Sequence, residues 1–211
     1  MELQLVEKKL PEKIEAMYKA VQELIEEGAD VNRIKVSEIT QKAGIGKGTA
    51  YEYFSNKEEL ISSALLYQMN LIYGQLEAQI AKMKSFEESI RFVLSSIVEK
   101  IGQRDCFLRY VHIFTDNGPI SETMKQKIKE QKEPDTCLAL DCIRQMVQIG
   151  KHTGEISARL PEAYIYMEVL SKVIGFAIYL TGEWDVEECD REEMQELICM
   201  SLKREFSENK L

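Results

Sequence analysis

Proline occurs four times in 211 residues, at Pro11, Pro119, Pro134 and Pro161, and glycine eleven times. Alternating β-branched runs bounded by turns are missing, so strands are not expected. The long stretches without breakers are rich in Glu, Lys, Leu, Ile, Met and Gln, all good helix formers, and the fold class they imply is all-α. No run approaches the roughly 18 apolar residues of a membrane helix. The N-terminal MELQLVEKKLPEK lacks the apolar core of a signal peptide, so a cytoplasmic location is expected. Histidine is scarce. His112 and His152 are too few for a metal site, and neither sits in the E-x-x-H pattern of a di-iron bundle. The five cysteines (Cys106, Cys137, Cys142, Cys189, Cys199) form no C-x-x-C pair. They read as reduced thiols on helices; a redox sensor is the alternative, without support from the spacing. No paired acid and base, Cys–His nucleophile or phosphate-binding loop appears, so neither an enzyme nor a bound cofactor is expected.

Positive charge is also short. The net charge is −9 and the isoelectric point about 5.0. Taken whole, that argues against a polyanionic partner, but distribution matters more than the sum. From Arg33 to Lys57 five positive residues (Arg33, Lys35, Lys42, Lys47, Lys57) face two negative ones (Glu38, Glu52), a local +3. The acidity lies elsewhere, as in Glu26-Glu27, Glu87-Glu88 and Glu187-Glu188.

A chain of this length makes one or two domains and buries about 70% of its unfolded surface. Pro11 suits the start of a first helix, Ile14, Met17, Tyr18, Val21, Leu24 and Ile25 give it one apolar face, and Gly28 ends it. Ser37 is the expected N-cap of a second helix reaching Ala43. Gly44-Ile45-Gly46 breaks the chain before a two-turn helix, Lys47 to Phe54. Ala50 and Phe54 are spaced to face inward, leaving Lys47, Thr49, Tyr51 and Tyr53 outside. Asn56, with Glu59 three residues on, caps a long fourth helix whose apolar stripe runs from Leu60 to Met83. Ser85 caps a helix to about Gln103. Ile120 to Lys132 reads as a polar surface helix, and Asp135 to Thr153 as a further helix. Pro161 opens a strongly apolar helix to about Leu180. Asp190 caps a last one carrying Met194, Leu197, Ile198, Met200, Leu202 and Phe206.

Helix, glycine turn and short helix are the parts of a helix-turn-helix, which seats the start of its second helix in the major groove of DNA. A plain helical hairpin with surface tyrosines is the other reading of the bare pattern. The residues are more specific. Ile39-Thr-Gln-Lys-Ala-Gly-Ile-Gly-Lys-Gly-Thr-Ala-Tyr-Glu-Tyr-Phe54, followed by Asn56-Lys57-Glu58-Glu59-Leu60, resembles the DNA-binding domain of the TetR family of bacterial regulators. The resemblance covers about residues 11 to 60. It implies an N-terminal three-helix DNA-binding domain over 1–56 and a C-terminal helical bundle for effector binding and dimerisation over 57–211. It assigns base reading to Lys47, Gly48, Thr49 and Glu52, and phosphate contact to Ser37, Thr40, Tyr51, Tyr53 and Lys57. Gly46 stands where many relatives carry Ser, so one hydroxyl contact is missing.

The same resemblance places dimerisation on the helices at 161–181 and 190–206. A single core helix in a monomer is the alternative reading of the first. The function implied is a ligand-responsive homodimeric repressor on a palindromic DNA operator. The alternatives are an activator, a regulator without a small effector, or a helical protein that does not bind DNA. Phe107, Tyr110, Phe114, Met146, Tyr166, Met167 and Phe176 line an effector pocket or simply pack. The effector's identity is not legible.

Overall fold

The computed structural model describes residues 10–101, 117–130, 139–181 and 189–207. These hold nine α-helices and no strand: α1 Glu12–Glu26, α2 Val36–Lys42, α3 Lys47–Tyr53, α4 Lys57–Ile80, α5 Phe86–Ile101, α6 Pro119–Glu130, α7 Ala139–Thr153, α8 Glu162–Tyr179 and α9 Arg191–Phe206. The all-α expectation holds. The chain divides into two compact units, residues 1–68 with 114–132, and residues 69–113 with 133–211.

In the first unit the helix boundaries follow from local chemistry. Pro11 sits at the N-cap of α1. Gly28 closes α1 with φ +97° and Gly44 closes α2 with φ +68°. Beyond α1, the N–H of Ala29 donates to Leu24 O (3.0 Å) and that of Gly28 to Ile25 O (3.0 Å); beyond α2, Ile45 donates to Thr40 O (3.0 Å) and Gly44 to Gln41 O (3.2 Å). Both ends are Schellman motifs, which require a left-handed residue that glycine supplies at low cost. The turn into α3 is therefore fixed by backbone bonds.

The start of α2 corrects an expectation. Lys35, not Ser37, is the N-cap. Lys35 offers no acceptor, and the Glu38 carboxylate reaches back to accept the Lys35 N–H at 2.6 Å. Ser37 lies inside the first turn. At α4, Asn56 Oδ1 accepts the Glu59 N–H (2.8 Å) as expected, while the Glu59 carboxylate accepts from Ser55 N–H (2.7 Å). That bond holds the Glu59 carboxyl below the usual carboxylate range. α4 ends at Ile80, short of Met83.

Met17, Ala20, Val21, Ile25, Ile34, Val36, Ile39, Ala50, Phe54, Leu60, Ile61, Ala64 and Leu65 are buried and form the first unit's core. Each such large aliphatic side chain contributes about 1.5–3 kcal/mol by leaving water. α6 packs here too, and it is not a plain surface helix. Ile120, Ser121 and Met124 are buried, and the Ser62 hydroxyl of α4 donates to Ile120 O at 3.1 Å.

The second unit is a bundle in which α5, α7, α8, α9 and the end of α4 share one core, with Leu94, Met146, Ile165, Phe176, Ala177, Leu202 and Phe206 inside it. Gly150 of α7 passes so close to α5 that a Cβ there would stand 2.7 Å from Ile156 and 2.9 Å from Phe86. The Asp190 carboxylate accepts from Glu192 N–H (3.0 Å) and Glu193 N–H (3.2 Å) and caps α9 as expected. Arg91 of α5 binds Glu87 (2.9 Å) and Glu196 of α9 (2.6 Å), and Lys203 of α9 binds Glu87 (2.9 Å). Cys142 and Cys199 are buried; Cys189 is half-buried and precedes α9, so it is not on a helix. Cys106 and Cys137 lie outside the described residues.

Candidate nucleic-acid interface

α3 is seven residues long, too short to be stable alone, and is held by packing. Ala50 is its one buried residue, and Phe54 follows as a buried C-cap. The Phe54 ring lies 6.0 Å from Tyr18 of α1, which in turn lies 5.4 Å from Tyr67 of α4. Pinned on that side, α3 turns the opposite side outward. Lys47 and Gly48 are exposed at its start and Thr49 is half-buried. Tyr51 is 51% and Tyr53 40% exposed, and Glu52 is exposed between them. Two large aromatic rings are thus left in water, opposite the apolar side on which α3 packs.

The remaining assigned residues divide. Ser37 is exposed. Thr40 is only 3% exposed, and its hydroxyl donates to Ser37 O at 3.3 Å. Lys57 is half-buried. Its ammonium donates to Asn32 O at 2.8 Å and lies 3.9 Å from Glu58.

Ion pairing revises the charge count. Lys42 binds Glu27 at 2.7 Å and Glu23 at 3.6 Å, and the Glu27 bond raises its pKa. Arg33 binds Asp30 at 3.3 Å. Both partners of Lys42 lie outside the Arg33–Lys57 window, which is why the local +3 overstated the free charge. Lys35 and Lys47 make no ion pair among the described residues. What the surface presents is two unpaired cations, the tyrosine hydroxyls, the Ser37 hydroxyl and exposed backbone at Gly46 to Gly48, a set suited to phosphate and base edges at short range.

For the residues assigned to an effector pocket, Phe107, Tyr110 and Phe114 lie outside the described residues. Met146 and Phe176 are buried in the second unit's core and Tyr166 packs against it. Met167 is 57% exposed on α8 and is not brought together with them. Among the described residues no cluster of three or more His, Cys, Asp and Glu is placed to hold a metal ion, and no helix is long and apolar enough to cross a membrane.

Several known proteins are similar to this chain. Residues 19–64 match the model of the family "Bacterial regulatory proteins, tetR family". The fatty acid metabolism regulator protein of Bacillus subtilis is 29% identical over 90 residues, 43% of this chain and 45% of that protein, so the matched stretch spans under half of that relative. The HTH-type transcriptional regulator YhgD of Bacillus subtilis is 22% identical over 173 residues, 81% of this chain and 85% of that protein. Among solved structures, FadR from Bacillus subtilis in complex with stearoyl-CoA shares the fold with a TM-score of 0.62 at 19% identity, covering 90% of this chain and 96% of that one. SmeT in complex with triclosan does so with a TM-score of 0.62 at 16% identity, covering 95% and 94%. The N-terminal head, residues 19–64, thus matches the model of the tetR family of bacterial regulatory proteins, and the fold as a whole is shared with these solved structures.

Proposed function

We propose that the chain is a homodimeric repressor that reads a two-fold operator with residues 1–56 and senses a small effector and dimerises with residues 57–211. The observation that carries the reading is the outward face of α3 set against its single buried residue. In this reading Lys47, Gly48 and Thr49 contact base edges, and Ser37, Tyr51, Tyr53 and Lys57 hold phosphates. Thr40 enters by bracing the Ser37 turn through its hydroxyl. One α3 reads too few bases for specificity, so two copies spaced by about 34 Å are needed. Support for pairing comes from α8 and α9, where Met167 (57%), Leu197 (51%) and Met200 (58%) leave large apolar side chains in solvent.

For the effector, the relatives suggest where to begin. One was solved with stearoyl-CoA and another with triclosan, so long-chain acyl thioesters and apolar phenols are the first compounds to try. α4 contributes residues to both units, and a ligand that favours one placement of α4 would shift the population able to bind DNA. The test is selection of a preferred duplex from random DNA by the purified protein, followed by gel shifts with and without these compounds. Operator binding unchanged when Lys47, Tyr51 and Lys57 are all replaced by Ala would sink the assignment. Binding insensitive to every compound would sink the effector part alone.

A further inference from the structure

An exposed glutamate on a surface helix is ordinarily a solvated charge. Glu52 of α3 stands in a different setting. Ala50 is the helix's one buried residue. At about 100° per residue, Gly48 and Glu52, two positions before and two after Ala50, bracket the direction opposite to it. Tyr51 lies on one flank of that direction, Thr49 and Tyr53 on the other. Gly48, Tyr51, Glu52 and Tyr53 are all exposed. A helical side chain leans toward the helix N-terminus, over the residues three and four positions earlier, which for Glu52 are Thr49 and Gly48. Gly48 has no side chain, so little of the helix stands in front of the carboxylate. Glu52 makes no hydrogen bond or ion pair among the described residues.

With α3 seated in a major groove, the tyrosines on its flanks reach the phosphate walls and the direction opposite Ala50 faces the base edges. A carboxylate accepts hydrogen bonds and donates none. Phosphates repel it, and so do guanine O6 and N7 and thymine O4. Adenine sets an N7 acceptor beside its one donor, N6, whereas cytosine presents the N4 amine and no acceptor in that groove. We infer that Glu52 is a specificity-determining residue: it accepts a hydrogen bond from the N4 amine of one cytosine in each half-site and disfavours every other base there. This rests on the DNA-reading proposal above and goes beyond it by naming the base. The charge of Glu52 opposes binding to DNA in general. An acceptor that weakens most sequences and is satisfied by one widens the gap between them, and specificity is that gap.

The test uses the full chain and the variants Glu52→Ala and Glu52→Gln, neither of which removes a buried group. Each protein selects duplexes from random DNA, and affinities for the parent's selected duplex and for random DNA are measured by fluorescence anisotropy. The parent should select a G·C pair in each half-site at a position where Glu52→Ala shows no preference. N4-methylcytosine still pairs with guanine but turns its methyl group into the groove where the amine hydrogen was. Placed at that position in both half-sites, it should weaken the parent at least about tenfold and Glu52→Ala less than about twofold. Glu52→Ala should weaken binding to the selected duplex while tightening binding to random DNA. Glu52→Gln, whose amide matches adenine N6 and N7, should move the selected pair to A·T. Equal tightening on both DNAs by Glu52→Ala overturns the proposal, since the carboxylate is then only a repelled, solvated charge. So does a selected sequence unchanged in both variants, or a Glu52-dependent pair other than G·C; in these cases the DNA-reading proposal stands. If the parent selects no preferred duplex, both fall.

Discussion

The Glu155 carboxylate accepts the backbone N–H of Phe86 at 2.7 Å and that of Glu87 at 3.1 Å. A residue just beyond the end of α7 thus caps the start of α5, adding negative charge where the helix dipole favours it. The Thr153 hydroxyl, donating to the same carboxylate at 2.6 Å, fixes its direction. Glu155→Ala removes two bonds at a half-buried helix end and is expected to cost about 1–2 kcal/mol. Thermal unfolding should show a Tm lower by about 2–8 °C, with Glu155→Gln recovering part of the loss.

Gly46 is the N-cap of α3 with φ −73° and ψ 145°, a conformation open to any residue. A Cβ there meets nothing within 4 Å among the described residues. Gly46→Ser supplies a hydroxyl to the unsatisfied N–H groups at the head of α3 and to a nearby phosphate. Operator affinity by fluorescence anisotropy should tighten about two- to fivefold, from one added hydrogen bond.

Salt dependence separates the lysines. Lys42 is already neutralised by Glu27 and Glu23, so Lys42→Ala should leave the slope of log affinity against log salt unchanged. Lys57 gives up only a backbone carbonyl and a long, 3.9 Å pairing with Glu58. Lys57→Ala should reduce the slope by about one per head and weaken binding to all sequences alike. Equal effects from the two substitutions would reject the pairing argument.

Leu197 and Met200 are both exposed on α9. Replacing both by Glu leaves the bundle core untouched and places charge where a second copy is expected. Sedimentation should then show monomers at concentrations where the parent pairs. Operator affinity should fall at least a hundredfold, with the monomer's Tm still measurable.

Acid should weaken the second unit through the α5–α9 ion network. Lys203 and Arg91 hold the Glu87 carboxyl below its ordinary 4.5, and Arg91 does the same for Glu196. A depressed carboxylate stabilises the fold above its unfolded pKa and is lost as pH falls through the folded value. The Tm should therefore be level from pH 7 to about 5 and decline below about 4.5. Replacing Glu87 and Glu196 with Gln should lower the plateau and flatten the decline.

Features of this fold written in neighbouring residues were legible in advance. Gly28, Gly44, Asn56 and Asp190 each act within a few positions of themselves, so their caps and turns could be read from spacing. The start of α2 was misread because the capping group belongs to Glu38, and a serine two positions past the true N-cap looked sufficient. α6 was misread because its buried face is only Ile120, Ser121 and Met124, and its partner Ser62 lies 58 residues away. The Glu155 cap spans 69 residues, and no local pattern announces such a bond. Charge counting failed for the same reason: Lys42 is paired with Glu27, fifteen residues earlier at the C-cap of α1. At the candidate interface, the outward set Lys47, Tyr51 and Tyr53 was readable because Ala50 and Phe54 fix the opposite face; the covered position of Thr40 was not.

α3 rests on Ala50 alone among its seven residues. The positions facing outward therefore carry almost no responsibility for folding. Mutation can rewrite them one at a time, each change tested only against DNA and hardly at all against stability. A lineage with this head can acquire a new binding sequence without first becoming more robust, and two diverging copies can part company in target while remaining equally well folded.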